Sequence, residues 1–371
     1  MRAVAIVDFE ISPNQNPLPD EERRSVVTTA KFGQVFTDHM ITLRWDEERG
    51  WHDGRVEAFQ PLSLPPSASV FHYGQEIFEG MKAYRQEDGS IALFRPERNA
   101  ARFNASARRL AMPEIPVEMF VHAVELLVRQ DRQWVPDGDG NSLYLRPMMI
   151  ATQPTLGFTL PSNSYLFCVI AGPAPGYFRG RTGPSALSVW LSEEYSRAAP
   201  GGTGFAKTGG NYAAAFLAQR NAVDNDCDQV VWLDAIEHTW VEEMGGMNLC
   251  FVQNSGGSQT LMTPALTGTL LPGVTRSSLL QLAERLGLGC EEGRISVDQW
   301  RKQCETGQIT EVFACGTAAV IAPVGQVRGS DGGWTIGDGR PGPVTLRLRE
   351  ELMGIQYGRI PDEFGWTHPV C

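Results

Sequence analysis

The sequence predicts an α+β protein in two parts, a small α/β domain at the N-terminus and a larger C-terminal domain built on a curved, barrel-like sheet. Three observations carry that expectation. The chain has 371 residues, more than one core usually serves. Its strands come largely as hairpins interleaved with helices. A Gly/Pro-rich run, Ala171-Gly172-Pro173-Ala174-Pro175-Gly176 followed by Gly180-Arg181-Thr182-Gly183-Pro184, interrupts the pattern near the middle. The expected domains are 1–172 and 185–371, joined by a loop at 173–184.

In the first domain, Gly80 to Arg85 and Ser90 to Phe94 flank Glu87-Asp88-Gly89, a hairpin signal. Phe103, Ala107 and Leu110 then mark one helical face after Pro96, and Phe120, Val124, Leu127 and Val128 mark another after Pro116. Strands are expected over Ser142 to Ile150 and Tyr165 to Ile170. The second domain opens with a strand at Ala186 to Leu191 and a helix from about Tyr212 to Val223. Strands at Asp228 to Leu233 and Trp240 to Glu242 precede a hairpin, Leu249 to Val252 with Thr260 to Met262, around Asn254-Ser255-Gly256-Gly257. Helices at Thr275 to Leu286, Val297 to Thr306 and Pro343 to Gly354, and a strand at Ile309 to Ala314, complete the expectation.

Composition excludes several classes of function. Apolar residues at 42%, with 39 Gly and 24 Pro spread along the chain, rule out wholesale disorder. A net charge of -11 argues against nucleic-acid binding, which needs a basic face to displace counterions. The seven cysteines lie far apart without a CxxC pair, which fits a reduced, cytoplasmic setting. The first residues, Met1 to Asp8, are too short an apolar run for a signal peptide, and no stretch reaches the roughly 20 apolar residues of a membrane helix. Six scattered histidines suggest no metal site.

Chemistry is concentrated in a few short segments. Lys207 sits in Ala206-Lys207-Thr208-Gly209-Gly210-Asn211-Tyr212, after Gly201, Gly202 and Gly204. An imine-forming amine suits such a loop, because glycines admit a planar ligand and burial or nearby cations disfavour the ammonium form. A solvated loop lysine would read the same way. Leu271 to Ser278 places Gly273 and Thr275 before an apolar-periodic helix, where free N–H groups would suit a phosphate and an ordinary Thr cap would also fit. Cys315-Gly316-Thr317-Ala318 adds a second hydroxyl after a strand, and Arg102 a bidentate cation for phosphate. Glu242-Glu243 lies beside Gly245 and Gly246; one carboxylate facing an aromatic ring nitrogen would stabilise a carbanionic state, although two solvent-facing charges would look the same.

These motifs, taken together, closely resemble the branched-chain amino acid aminotransferases of the class IV, pyridoxal-phosphate-dependent fold. The resemblance rests on Phe32-Gly33, Phe36 to Met40, His72 to Lys82, Tyr144 to Pro147, Lys207 to Tyr212, Glu243 to Asn248, Leu271 to Arg276 and Gly316 to Ala318, in one order over nearly the whole chain. It implies reversible ping-pong amino transfer between leucine, isoleucine or valine and 2-oxoglutarate, in a homodimer with pyridoxal 5′-phosphate as cofactor. Lys207 would hold the cofactor as a Schiff base and shuttle the proton between substrate Cα and the cofactor. Glu243 would pair with the pyridine nitrogen and Tyr212 with the phenolic oxygen, while Arg102, Val274, Thr275 and Thr317 would hold the phosphate. Tyr73, Thr317 and Ala318 would receive the substrate carboxylate, and Phe32, Phe78 and Tyr144 would wall the aliphatic pocket. Arg146 would serve the distal carboxylate of the second substrate. Leu156 and Phe158 would lie on a loop that reaches the partner subunit's pocket.

The chain departs from the family pattern in places. Ala319 and Ala322 stand where some members carry a CxxC, so a thiol switch is not expected there. Gly246 replaces a Thr found in other members, and Phe158 a smaller Val, which bears on side-chain preference. The alternatives are another class IV enzyme, a D-amino-acid aminotransferase or an aminodeoxychorismate lyase, and a cofactor-binding scaffold without activity. The first two should lack the full Phe36 to Met40 and His72 to Lys82 context, and a scaffold would not need Tyr144 and Arg146.

Overall fold

The computed structural model describes residues 7–176 and 185–371, so most of the expected interdomain loop lies outside the described residues. Contacts divide the chain into one unit of Met1–Gly176, Ala206–Gly209 and Ile355–Cys371, and a second of Tyr177–Phe205 and Gly210–Gly354.

The first unit is built on a nine-stranded sheet. Its strands are β1 (Phe9–Ile11), β2 (His39–Asp46), β3 (Gly50–Ala58), β4 (Glu76–Phe78), β5 (Met81–Arg85), β6 (Ile91–Phe94), β7 (Ser142–Ala151), β8 (Ser164–Ala174) and a C-terminal strand, Thr367–Pro369. They run in the order β1-β3-β2-β8-β7-β5-β6 and then the C-terminal strand, with β4 on β7. The expected hairpin is present as β5 and β6, paired antiparallel. The last strand pairs with Ala92 to Phe94, which is why Ile355–Cys371, expected in the second domain, belongs here instead. Ala206–Gly209 also groups here: Phe78 N–H donates to the Lys207 carbonyl at 3.0 Å, and the Lys207 N–H donates to Ser106 Oγ at 2.9 Å. Residues 173 and 174, expected in the loop, continue β8.

Four helices accompany this sheet: α1 (Asp20–Thr29), α2 (Ser69–Tyr73), α3 (Pro96–Arg109) and α4 (Val117–Gln130). α3 starts where expected, because Pro96 fits the first turn without a donor to lose, and Glu97 and Arg108-Arg109 complement its dipole ends. Its apolar stripe meets that of α4 over the sheet, where Phe103, Phe120 and Phe167 pack with ring centroids 5.4–5.7 Å apart.

The second unit holds β9 (Leu187–Ser192), β10 (Gln229–Leu233), β11 (Val241–Met244), β12 (Met247–Ser255), β13 (Ser258–Pro264), β14 (Gly289–Gly293), β15 (Ile309–Gly316), β16 (Val320–Gly329) and β17 (Gly332–Thr335). The order is β11-β10-β9-β16-β15-β12-β13-β14, with β17 on β16. Glu243 and Met244 of β11 also pair with Asn248 and Met247 of β12, which closes β9, β10, β11, β12, β15 and β16 into a ring. That ring is the barrel-like sheet expected from sequence. Gly256 and Gly257, both at positive φ, make the β12–β13 turn.

The helices are α5 (Gly209–Ala213), α6 (Phe216–Asp224), α7 (Val274–Arg285), α8 (Val297–Glu305) and α9 (Pro343–Gln356). The helix expected over Tyr212 to Val223 is two, interrupted at Ala214 and Ala215. Ser296 caps α8 through a reciprocal pair with Gln299, and Trp300 buries its ring against Phe251 at 5.3 Å.

Candidate active site

The two units each bring a set of the expected residues together. In the first, Lys207 Nζ lies 4.8 Å from the centroid of Phe78, and the Arg146 guanidinium lies 4.7 Å from the same ring. Arg146 donates to the Tyr144 hydroxyl at 3.2 Å, and Tyr144 meets Phe32 edge-on at 4.9 Å. Phe32, Phe78, Tyr144, Arg146 and Lys207 therefore form one cluster in which aromatic faces carry two cations. Gly80 makes room for it: a Cβ there would overlap the Tyr144 hydroxyl.

The loop that carries Lys207 is tied down by Glu76, which accepts from the Gly209 N–H and, at 3.3 Å, from the Thr208 hydroxyl. Burial raises the Glu76 carboxyl above its ordinary range, against those two bonds. Next along the chain, fully buried Glu79 grips Arg102: Nε donates to Oε1 at 2.7 Å and Nη2 to Oε2 at 2.8 Å, with Asn99 Nδ2 on Oε2 at 2.8 Å. Burial alone would raise Glu79, but the Arg102 charge and bonds prevail and its carboxyl is held below the ordinary range. Sequence reading named Arg102 and missed the carboxylate that fixes it, although a buried arginine requires one.

Tyr73, Leu156 and Phe158 form a separate group on this unit. The Tyr73 hydroxyl donates to the Leu156 carbonyl, and the Tyr73 and Phe158 rings lie 6.0 Å apart. The loop expected to reach a partner subunit thus folds over Tyr73 of its own chain, with Phe158 still 78% exposed.

In the second unit, β11 places Glu242 and Glu243 on opposite faces, and both are buried rather than solvent-facing. Glu243 Oε1 accepts from the Leu271 N–H at 2.7 Å and from Asn248 Nδ2 at 3.0 Å. Its Oε2 lies 3.0 Å from Arg197 Nε, a close ion pair whose N–H is not aligned for a hydrogen bond. Arg197 also donates to the carbonyls of Thr269 and Gly204. Sequence reading missed Arg197; its place in Ser196-Arg197-Ala198-Ala199-Pro200, just before the glycine loop, was the available signal.

Asn248 also donates to the Leu271 carbonyl at 2.9 Å, which ties Glu243 to the start of α7. There Gly273, not Thr275, is the N-cap, and no side chain caps the helix. Val274 and Thr275 occupy the first turn, so their N–H groups lack intrahelical acceptors. A Cβ at Gly273 would overlap Asn248 Oδ1, so a side chain there would displace the amide that holds Glu243. Thr317 and Ala318 form the tight turn between β15 and β16, at the end where Cys315 pairs with Asn248. Tyr212 lies against Gly246; a Cβ there would come within 3.3 Å of the tyrosine ring, so the Thr of other members would press on it.

The chemistry of these donors fits pyridoxal 5′-phosphate: an amine on an aromatic wall, a buried carboxylate with an arginine behind it, and an uncapped helix start next to a hydroxyl turn. A family model for amino-transferase class IV matches residues 76–327. The branched-chain-amino-acid aminotransferase of Mycolicibacterium smegmatis is 56% identical over 361 residues, covering 97% of each chain. A probable branched-chain-amino-acid aminotransferase of Streptomyces coelicolor is 56% identical over 364 residues, 98% of this chain and 99% of that one. Among solved structures, the branched-chain amino acid aminotransferase of Thermobaculum terrenum in its PLP form aligns with a TM-score of 0.70 at 26% identity, covering 89% of this chain and 98% of that one. The Escherichia coli branched-chain amino acid aminotransferase aligns at 0.71 and 27%, covering 90% and 99%.

Proposed function

This chain belongs to the class IV aminotransferases, and from that premise we propose that it is a branched-chain-amino-acid transaminase that uses pyridoxal 5′-phosphate. The observation that carries the substrate pair is the sharing of Phe78 by Lys207 and Arg146. One apolar wall takes an aliphatic side chain, and the guanidinium on it takes the distal carboxylate of 2-oxoglutarate. A purely apolar pocket would reject the dicarboxylate, and a purely cationic one would reject leucine.

The cofactor supplies an electron sink for the carbanion at the substrate Cα. This chain's residues do the rest. Lys207 Nζ would hold the cofactor covalently at rest and, once the substrate amine has displaced it, would serve as the base that takes the Cα proton and the acid that delivers it to the cofactor. Glu243, fixed by Leu271, Asn248 and Arg197, would pair with the pyridine nitrogen and favour its protonated form. Tyr212 hydrogen-bonds the phenolic oxygen. The open N–H groups of Val274 and Thr275, with Thr317 and Arg102, hold the phosphate. Phe32 and Tyr144 complete the apolar wall, and Tyr73, Thr317 and Ala318 take the α-carboxylate, which requires Tyr73 to exchange its bond to Leu156. We also infer a cytoplasmic homodimer: all seven cysteines are free, and Leu156, Phe158 and Leu160 are exposed apolar side chains suited to a second copy.

The test separates the two half-reactions. Arg146→Met should lower kcat/KM for 2-oxoglutarate by about 30-fold or more, the cost of losing one partner of a buried charge pair, while the leucine half-reaction changes by less than about threefold. Equal losses on both sides would defeat this reading of the pocket. Borohydride reduction followed by peptide mapping should place the cofactor on Lys207.

A further inference from the structure

Glu242 faces away from Glu243 and lines a separate cavity of about 270 Å³ in the second unit. It is 6% exposed, and while Oε1 accepts from the Thr269 hydroxyl, Oε2 has no hydrogen-bond partner among the described residues. A buried carboxylate oxygen left in this way is costly, and it asks for a donor from outside the chain. Burial raises the carboxyl above its ordinary range despite the Thr269 bond and the charges of Arg197 and Arg294.

A cation of opposite role stands across the cavity. Trp240 bridges to Ser296 antiparallel, with Val241 N–H donating to the Ile295 carbonyl and Val297 N–H to the Thr239 carbonyl. Arg294, two residues before Ser296, and Glu242, two residues after Trp240, both line the cavity. Arg294 is exposed, lines the same cavity, and lays its guanidinium over the Trp240 ring at 4.1 Å rather than on the carboxylate. Ile236 and Leu270 supply apolar lining.

We propose that this cavity is a second binding site, for a free α-amino acid whose ammonium pairs with Glu242 Oε2, whose carboxylate takes Arg294, and whose short apolar side chain lies against Trp240, Ile236 and Leu270. A simple amine would leave Arg294 unused, and a simple carboxylate would leave Oε2 unpaired and repelled. The zwitterion satisfies both at once, and the volume is at the small end for ligand cavities. Nothing in this site depends on the transaminase reading.

The probe is labelled L-leucine, dialysed to equilibrium against borohydride-reduced holoenzyme, which does not turn over, with excess 4-methylvalerate to fill the active site. Saturable leucine binding should survive the competitor in the wild type and weaken by roughly tenfold or more in both Glu242→Gln and Arg294→Ala. Glu242→Gln keeps an acceptor for Thr269, and Arg294→Ala removes an exposed side chain, so neither loss reports unfolding. No leucine bound, or binding undiminished in either variant, would overturn the proposal; the latter result is also what leucine held in the active site would give.

Discussion

Replacing Glu79 by Gln tests how much the buried Glu79–Arg102 clamp stabilises the first unit. The carboxylate is 0% exposed and receives two Arg102 bonds at 2.7 and 2.8 Å, one from Asn99 at 2.8 Å and one from the Gly80 N–H at 3.1 Å. An amide keeps one acceptor and turns the other into a donor that faces donors. Arg102, 9% exposed, keeps its charge with no carboxylate to match it. Breaking one side of a buried pair costs about 3–5 kcal/mol, which agrees with two charge-assisted bonds at about 1.5–3 kcal/mol each. For a unit of this size the midpoint should fall by about 6–20 °C.

The assay is denaturation of the cofactor-free protein, repeated in Arg102→Met and in the double variant. Removing both charges should restore much of the loss, because no buried charge is left alone. The acid limb gives a second check. Glu79 has a folded pKa below its unfolded value, so its contribution is present above the unfolded pKa and disappears as pH falls through the folded one. The stability gap between wild type and Glu79→Gln should therefore be level near neutrality and close below about pH 4. A loss under about 1 kcal/mol, additive single variants, or a gap that does not change in acid would refute the reasoning.

Three further outcomes follow from the same geometry. Glu243→Gln keeps an acceptor for Leu271 and Asn248 but presents an amide to Arg197, so bound cofactor should be retained while kcat falls about 100-fold or more; unchanged kcat would move the pyridine contact to another residue. Phe158→Val removes the ring that covers Tyr73, so kcat/KM ratios among Val, Ile, Leu, Met and Phe should shift by about 1–3 kcal/mol, and identical ratios would place Phe158 outside the pocket. Mild peroxide should leave activity intact, because a hydrogen bond with Cys250 and burial push the Cys315 thiol well above its ordinary range; loss of activity reversed by dithiothreitol would contradict that.

The elements legible in the sequence were those specified locally. The β5–β6 hairpin, α3 and α4 were marked by turn residues, by Pro96 and Pro116 and by apolar periodicity, and they stand close to their expected limits. β16 was not legible, because Pro323 and Gly325 read as strand breakers. Pro323 is paired on one side only, with Phe313 of β15, because the pairing with β9 begins at Val324 and is irregular between Val324 and Gln326. The ring closure between β11 and β12 and the docking of Thr367–Pro369 on β6 are pairings that no local pattern encodes.

The site divides along the same line. Lys207, Glu243 and the α7 start were visible as motifs, whereas Arg197 and Glu79 were not, since each is joined to its partner only by the fold. One physical rule would have found them, namely that a buried charge demands a counter-charge, so each predicted buried ion implies a search for its mate. The adjacent glutamates show how far that rule reaches. On a strand they must face opposite sides, so a single partner cannot serve both. Arg197 settles on Glu243, while Glu242 lines a cavity with Arg294 on its wall and keeps one buried oxygen without a hydrogen-bond partner among the described residues. Two charges indistinguishable in sequence thereby acquire different chemistry from strand alternation alone.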